Sequence, residues 1–309
     1  MTRPLLIDTD TASDDAVALV MALRHPEVEV VGITVVAGNV GLEQGVQNAL
    51  YTVELCGADV PVHAGAARPL TLDLETAQFV HGQDGMGDIG LPLSGRTPAS
   101  NDAVAEIIRL ARQHAGDLTL VTLGPLTNVA LAVRTAPDIV DCISRVVVMG
   151  GTGQGPGNIT PVAEFNIWVD PEAADIVFTS GLPVEMVGWD ISYTYATITR
   201  DESDAITAAG PLGEFCTDIQ KVLLEFCENV THLEGYDLPD PITMGVALEP
   251  GLATRVVDRY VRVETGSGLC RGQTVVDHLG VTQQPSNTKV VLESSHERFL
   301  ELLLAAVSG

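Results

Sequence analysis

Leu5-Leu6-Ile7-Asp8-Thr9-Asp10-Thr11-Ala12-Ser13-Asp14-Asp15-Ala16 joins a short apolar run to four acidic residues and then to a helical pattern. Such a run, placed just ahead of a helix, reads as a buried parallel strand. The helix continues through Val17-Ala18-Leu19-Val20-Met21-Ala22-Leu23, with Ser13 or Asp14 as its cap. The carboxylates then gather where the strand ends, which is the edge at which open α/β sheets bind ligands. Capping accounts for one or two of them, since acidic residues suit the positive end of a helix. Four so close together repel unless they are protonated or a cation neutralises them. A divalent metal is the simplest resolution.

The same alternation extends outward along the chain. Pro4–Asp8, Val28–Ala37, Leu118–Leu123, Arg145–Gly150 and Val184–Trp189 read as strands. Asp14–Arg24, Leu42–Cys56, Ala103–His114, Leu126–Thr135 and Pro171–Thr179 read as helices between them. The pattern predicts an α/β fold with a mostly parallel central sheet flanked by helices, and right-handed crossovers put every strand-to-helix turn at one edge. Farther on, Glu202–Ala209, Pro211–Asn229, Pro241–Leu248 and Ser295–Val307 read as helices. Thr254–Glu264, Gln273–Val276 and Thr288–Leu292 read as a small antiparallel extension near the C-terminus. No linker or repeat divides residues 1–309, which are expected to form a single domain. Residues 64–100 are the longest irregular stretch and hold Val80-His81-Gly82-Gln83-Asp84-Gly85. A loop of that length inside a compact domain is read as a lid or binding loop.

Composition narrows the class of function. The chain has 309 residues, 46% of them hydrophobic, enough for a large core. Its formal net charge is -25, with Lys221 and Lys289 the only lysines, so nucleic acid and anionic membranes are excluded as partners. Such a surface also suits solubility in high salt, where self-repulsion is screened. No stretch is long and apolar enough to span a membrane, and Met1-Thr2-Arg3-Pro4 runs straight into the first strand, so no signal peptide is expected. The five cysteines are odd in number and lack CxxC spacing, which fits reduced thiols in a cytoplasmic protein.

Several motifs stand in order along nearly the whole length. Asp8-Thr9-Asp10-Thr11-Ala12-Ser13-Asp14-Asp15-Ala16 is followed by Ala37-Gly38-Asn39-Val40, Leu123-Gly124-Pro125-Leu126-Thr127-Asn128 and Glu164-Phe165-Asn166. With these motifs in register the chain closely resembles the inosine–uridine-preferring nucleoside hydrolases, with Ala12 where that family usually has Gly. The resemblance implies hydrolysis of the N-glycosidic bond of ribonucleosides, in purine or pyrimidine salvage, by a homodimer or homotetramer. It also implies one Ca²⁺, held by Asp10, Asp15, the backbone carbonyl of Leu123, and Asp240. These are hard oxygen donors of the kind calcium takes. Asp10 matches the general base. Asp14, Asn39 and Asn166 match positions that hold the ribose 2′- and 3′-hydroxyls, and Asn158 and Glu164 those that hold the 5′-hydroxyl.

The chain departs from the family in the half of the site that faces the base. Many relatives carry a His directly before the last aspartate ligand, where this chain has Pro239, and a Thr-His pair appears here as Ser192-Tyr193. His81 matches a family histidine near the base and is the candidate acid for the leaving group. Trp189, Tyr193, His232 and Tyr236 are candidate base contacts, with Trp189 ending a strand at the functional edge and Trp168 in a strand-like segment. Two rival readings stand beside this one. A non-catalytic calcium- or ribose-binding protein would keep the ligands without needing the base geometry of Asp10. A DxD-type phosphatase would share Asp8-Thr9-Asp10-Thr11 but would need a lysine for the phosphate, and Lys221 and Lys289 lie in late segments.

Overall fold

The first apolar run forms strand β1 (Arg3–Thr9), and the helix behind it is α1 (Ser13–Arg24). The structure is a computed structural model that describes residues 2–231 and 233–308. The alternation continues with β2 (Val28–Val35), α2 (Leu42–Leu55), β3 (Val62–Ala64), the short α3 (Gln78–His81), α4 (Ala103–Gln113), β4 (Leu118–Thr122) and α5 (Thr127–Thr135). Next come β5 (Ile143–Met149), α6 (Phe165–Val169), α7 (Pro171–Thr179), β6 (Val184–Val187) and α8 (Trp189–Tyr195). A helical section follows: β7 (Thr197–Ile198), α9 (Arg200–Ala208), α10 (Pro211–Asp218), α11 (Lys221–Phe226), β8 (Tyr236–Asp237) and α12 (Pro239–Leu248). The last elements are β9 (Ala253–Arg259), β10 (Val261–Val263), β11 (Thr274–Val276), β12 (Thr288–Ser294) and α13 (His296–Val307).

Eight strands form one sheet in the order β3-β2-β1-β4-β5-β6-β12-β9. All neighbours are parallel except β12 and β9. Side chains alternate across it as a strand requires: Leu5 and Ile7 enter one core and Leu6 the other. The first core holds α1, α2, α12 and α13, and the second holds α4, α5 and α7. From β1 the chain winds one way to β2 and β3, then returns and winds the other way through β4, β5 and β6. The reversal lies between β1 and β4, where open α/β sheets bind ligands.

Two helices aim at that point. Helix α1 is buried from Ser13 to Ala22 and α12 from Asp240 to Leu248, each apolar enough around its circumference to sit inside the core. They pack against each other with Asp14, Asp15 and Asp240 in their first turns. Acidic residues there meet the positive ends of both helices.

Several expectations need correction. Ser13 and Asp14 do not cap α1. Ala12 holds the cap position, and Asp15 Oδ2 accepts the Ala12 backbone N–H at 2.9 Å. Phe165–Trp168 is helical, because the Glu164 side chain caps α6 by accepting from the N–H groups of Asn166 and Ile167. Trp189 opens α8 and does not end a strand. Helix α12 starts at Pro239 rather than at Pro241, which puts Asp240 inside its first turn. The expected helix over Pro211–Asn229 breaks into α10 and α11, followed by a wider π turn over Cys227–Thr231. The C-terminal strands divide between sheets: β10 pairs antiparallel with β11, whereas β12 joins the main sheet parallel to β6 and antiparallel to β9. Among the described residues no helix is long and apolar enough to cross a membrane.

Candidate active site

Asp10 leaves the end of β1 and is fully buried. Its Oδ2 accepts the backbone N–H of Asn39 at 2.6 Å, and its Oδ1 has no hydrogen-bond partner. Two glycines make room for it. A Cβ on Gly38 would overlap Asp10 Oδ2, and one on Gly124 would stand 2.7 Å from Oδ1. The glycines after β2 and β4 are therefore explained by one carboxylate. Ala12 is in extended backbone at φ -105, a conformation that does not call for glycine.

Asp15 is held from two sides, by the Thr9 hydroxyl at 2.5 Å on Oδ1 and the Ala12 N–H on Oδ2. Asp14 Oδ1 is buried without a hydrogen-bond partner and lies 3.6 Å from His81 Nδ1. Oxygens of Asp14, Asp15 and Asp240 all lie within 4.8 Å of one another. Asp10 stands outside that triplet, although its charge raises Asp240. Burial, then the neighbouring Asp15 charge, pushes the Asp10 carboxyl well above the usual aspartate range. Burial does the same to Asp240, reinforced by Asp15, Asp14 and Asp10. Burial and neighbouring charge lift Asp14 to about 7 and Asp15 to about 6.

Asp8 is also buried, and burial raises its pKa to about 7. It accepts from the Thr34 hydroxyl at 2.5 Å and from Asn128 Nδ2 at 2.8 Å, so the Asn of the Gly124-to-Asn128 turn anchors the strand end. Asn166 Nδ2 donates to the Leu123 carbonyl at 2.8 Å. Glu164 accepts from the backbone N–H groups of Gly151, Asn166 and Ile167, and burial raises its pKa to about 7. Asn158 Oδ1 accepts the Phe165 N–H at 2.9 Å, which fixes the loop ahead of α6.

Above this floor lies a cavity of about 230 Å³. That is room for a small organic molecule, since a water's share of liquid volume is about 30 Å³. Asp14, Asn39, Leu123, Asn158, Glu164, Asn166 and Asp240 line its polar part. Its mouth is apolar, with Phe79 and Val80 from the long loop facing Leu223 and Phe226 of α11. Phe79 is 57% exposed and meets Phe226 edge-on at 5.9 Å. Residues 64–100 thus supply one wall of the pocket.

His81, at the end of α3, also lines the cavity. Its Nδ1 is 2.9 Å from the Ser13 hydroxyl. Burial pushes its pKa down to about 4, so the ring is neutral near pH 7. Trp189 lines the cavity and donates Nε1–H to Asp237 Oδ2 at 2.9 Å. Of the other base-side candidates, Tyr193 packs on Trp189 but is 43% exposed and outside the lining. Tyr236 is buried beside Ser203 and borders a different depression. His232 lies outside the described residues.

Sequence reasoning missed Met149, Phe79, Phe226 and Asp237, all of which line the pocket. Met149 ends β5 at the same edge as Asp10, a placement that the strand pattern implied. Nothing local marked the other three. Among the described residues no Lys or Arg lines the pocket, and Lys289 borders a separate depression, which leaves the phosphatase reading without its cation.

The family model described as inosine-uridine preferring nucleoside hydrolase matches residues 5–301. The chain is 40% identical over 313 residues to the pyrimidine-specific ribonucleoside hydrolase RihB of Escherichia coli (strain K12), covering 99% of this chain and 97% of that protein. Among solved structures it is similar to a plant nucleoside hydrolase, PpNRh1, at a TM-score of 0.94 and 32% identity over 100% of both chains. It is also similar to a purine-preferring ribonucleoside hydrolase from Gardnerella vaginalis, at a TM-score of 0.92 and 35% identity over 99% of this chain and 98% of that one.

Proposed function

The chain belongs to the inosine–uridine-preferring nucleoside hydrolase family, and we propose that it hydrolyses the N-glycosidic bond of ribonucleosides with Ca²⁺ as its resident cation. The observation that carries this reading is the acidic floor. Asp10, Asp14, Asp15 and Asp240 are buried together, two of them have an oxygen without a partner, and among the described residues no Lys or Arg in the lining offsets them. A cluster of hard oxygen donors that burial drives towards protonation fits a calcium ion. Asp10, Asp15, the Leu123 carbonyl and Asp240 would hold it. Bound there, calcium supplies the positive charge that keeps the carboxylates ionised and anchors water and sugar hydroxyls.

The protein's own groups then divide the reaction. Asp10, oriented by the Asn39 N–H, takes a proton from the attacking water at its bare Oδ1. Asp14, Asn39 and Asn166 hold the ribose 2′- and 3′-hydroxyls, and Asn158 and Glu164 hold the 5′-hydroxyl. The surrounding carboxylates favour the cationic character that develops on the sugar as the base departs. The apolar mouth receives the base and keeps water from it, with His81 as a hydrogen-bonding partner. Of the base-contact candidates among the described residues, Trp189 is the one in the cavity lining, where it is buried. The family resemblance also supports a homodimer or homotetramer of one-domain chains, working in the cytoplasm.

Ribose release from uridine, cytidine, inosine, adenosine and guanosine, read by a reducing-sugar assay with and without a calcium chelator, tests the reading. Calcium-dependent release from at least one nucleoside is the expected result. Binding without cleavage of any of them would favour a non-catalytic calcium or ribose binder on the same fold.

A further inference from the structure

Four carboxyl groups line the pocket: Asp14, Glu164, Asp237 and Asp240. Asp14 and Asp240 belong to the acidic floor, and Glu164 spends its oxygens on three backbone N–H groups. Asp237, in β8 and 6% exposed, has no part in the reading above. Both of its side-chain donors meet one oxygen. Trp189 Nε1 lies 2.9 Å and Ser192 Oγ 3.2 Å from Oδ2. Among the described residues no further side chain donates to the group, and its own backbone N–H is the remaining donor. The carboxyl group is therefore fixed in orientation, with Oδ1 free of side-chain donors among the described residues.

The base-facing half of the pocket has few other proton sources. Pro239 carries no donor, no Tyr appears in the lining among the described residues, and the His81 ring is neutral. Burial raises the Asp237 carboxyl above the usual aspartate range, against the lowering pull of Ser192 and Trp189. A proton retained there belongs on Oδ1, because Oδ2 already accepts two hydrogen bonds.

We propose that Asp237 is the catalytic residue that protonates the departing nucleobase from Oδ1, with Trp189 and Ser192 as the residues that position it. The inference rests on the hydrolase reading. As the glycosidic C–N bond breaks, its electron pair passes to the base and the Oδ1 proton follows onto the base. Water forms the new bond to the anomeric carbon and gives its proton to Asp10. Asp10 ends protonated and Asp237 ionised, and proton exchange with solvent after product release restores both. Water is the sole co-reactant.

The test compares wild type with Asp237→Asn on uridine and inosine, whose bases leave poorly, and on para-nitrophenyl riboside, whose phenolate leaves without a proton. Asn keeps an oxygen for Trp189 and Ser192 but has no acidic proton to transfer. The nucleosides should lose about a hundred- to ten-thousandfold in kcat, the range of a general acid, and the aryl riboside far less. Trp189→Phe, which removes one positioning hydrogen bond and leaves the carboxyl group, should show the same selectivity with a smaller loss. Equal losses on both substrate classes, or no loss on nucleosides, would overturn the proposal. A wild-type protein inactive on every riboside in calcium would instead sink the hydrolase reading, and that result is read before any variant is made.

Discussion

The backbone N–H of Asn39 donates to Asp10 Oδ2 at 2.6 Å and leaves Oδ1 as a buried, unpartnered acceptor. One motif thus orients the carboxylate of another. Asp10→Asn keeps an oxygen for Asn39 but cannot take a proton. Its kcat should fall by about a thousandfold, within the usual range for a general base. Removing one of several mutually repelling groups should leave the metal-free thermal stability equal or higher. Near-normal kcat would end the assignment of Asp10 as base.

Gly124 is required by close approach. A Cβ there would lie 2.7 Å from Asp10 Oδ1. Gly124→Ala should cost about 1–3 kcal/mol as overpacking and, by displacing the base, about a hundredfold in kcat. Gly41→Ala is the control, since nothing lies within 4 Å of a Cβ at that position. Similar effects in the two variants, by thermal melts and steady-state kinetics, would refute the packing argument.

The pH dependence of stability follows from the buried carboxyls. Asp8, Asp14 and Glu164 are raised to about 7 and Asp15 to about 6. Between the unfolded carboxylate range and these values the native state holds protons that the unfolded chain has released. Metal-free stability should therefore fall as pH rises from about 4 to about 7. His81 opposes this, because its pKa is lowered from 6.5 to about 4 and its contribution is lost as pH falls through that interval. Burial lowers His25 and His63 in the same direction, but the raised carboxyls, with Asp10, Asp170, Asp237 and Asp240 among them, outnumber the three histidines. Calcium should remove the slope, stabilising more near pH 8 than near pH 5 and by about 2.7 kcal/mol at a hundred times its Kd. Thermal melts in chelator that show rising stability across this interval would contradict the account.

Asp14 Oδ1 is buried without a hydrogen-bond partner, and it lines the pocket with Asn39 and Asn166. A substrate lacking the 2′-hydroxyl would leave such groups unpaired. The kcat/KM for 2′-deoxyuridine or 2′-deoxyinosine should fall by about ten-thousandfold against the ribonucleoside. Comparable values for both sugars would remove Asp14, Asn39 and Asn166 from the sugar site.

Much of the acidic floor was legible because its parts are local. Leu5-Leu6-Ile7 with the following aspartates marks a strand end and a helix start, and the Gly38-Asn39 and Gly124-to-Asn128 turns fall at the same sheet edge. The rest of the pocket is assembled from long-range contacts that no periodicity encodes. Phe79 and Phe226 meet across 147 positions of sequence, and Asp237 owes its place to Trp189 and Ser192 in α8. Phe165–Trp168 looked like a strand because its apolar residues outweighed the cap that Glu164 provides. The parallel pairing of β12 depends on the crossover from α12 through β9 to β11, which local pattern does not reveal.

The central claim is that this acidic floor drives hydrolysis of a ribosidic bond. The direct measurement is chromatographic quantification of free base and free ribose from uridine and inosine, in phosphate-free buffer with calcium and again after chelation. The account predicts base and ribose in equal amounts from at least one of the two, with the yield lost on chelation and restored by calcium. Intact nucleosides under every condition, or cleavage indifferent to the chelator, would contradict it.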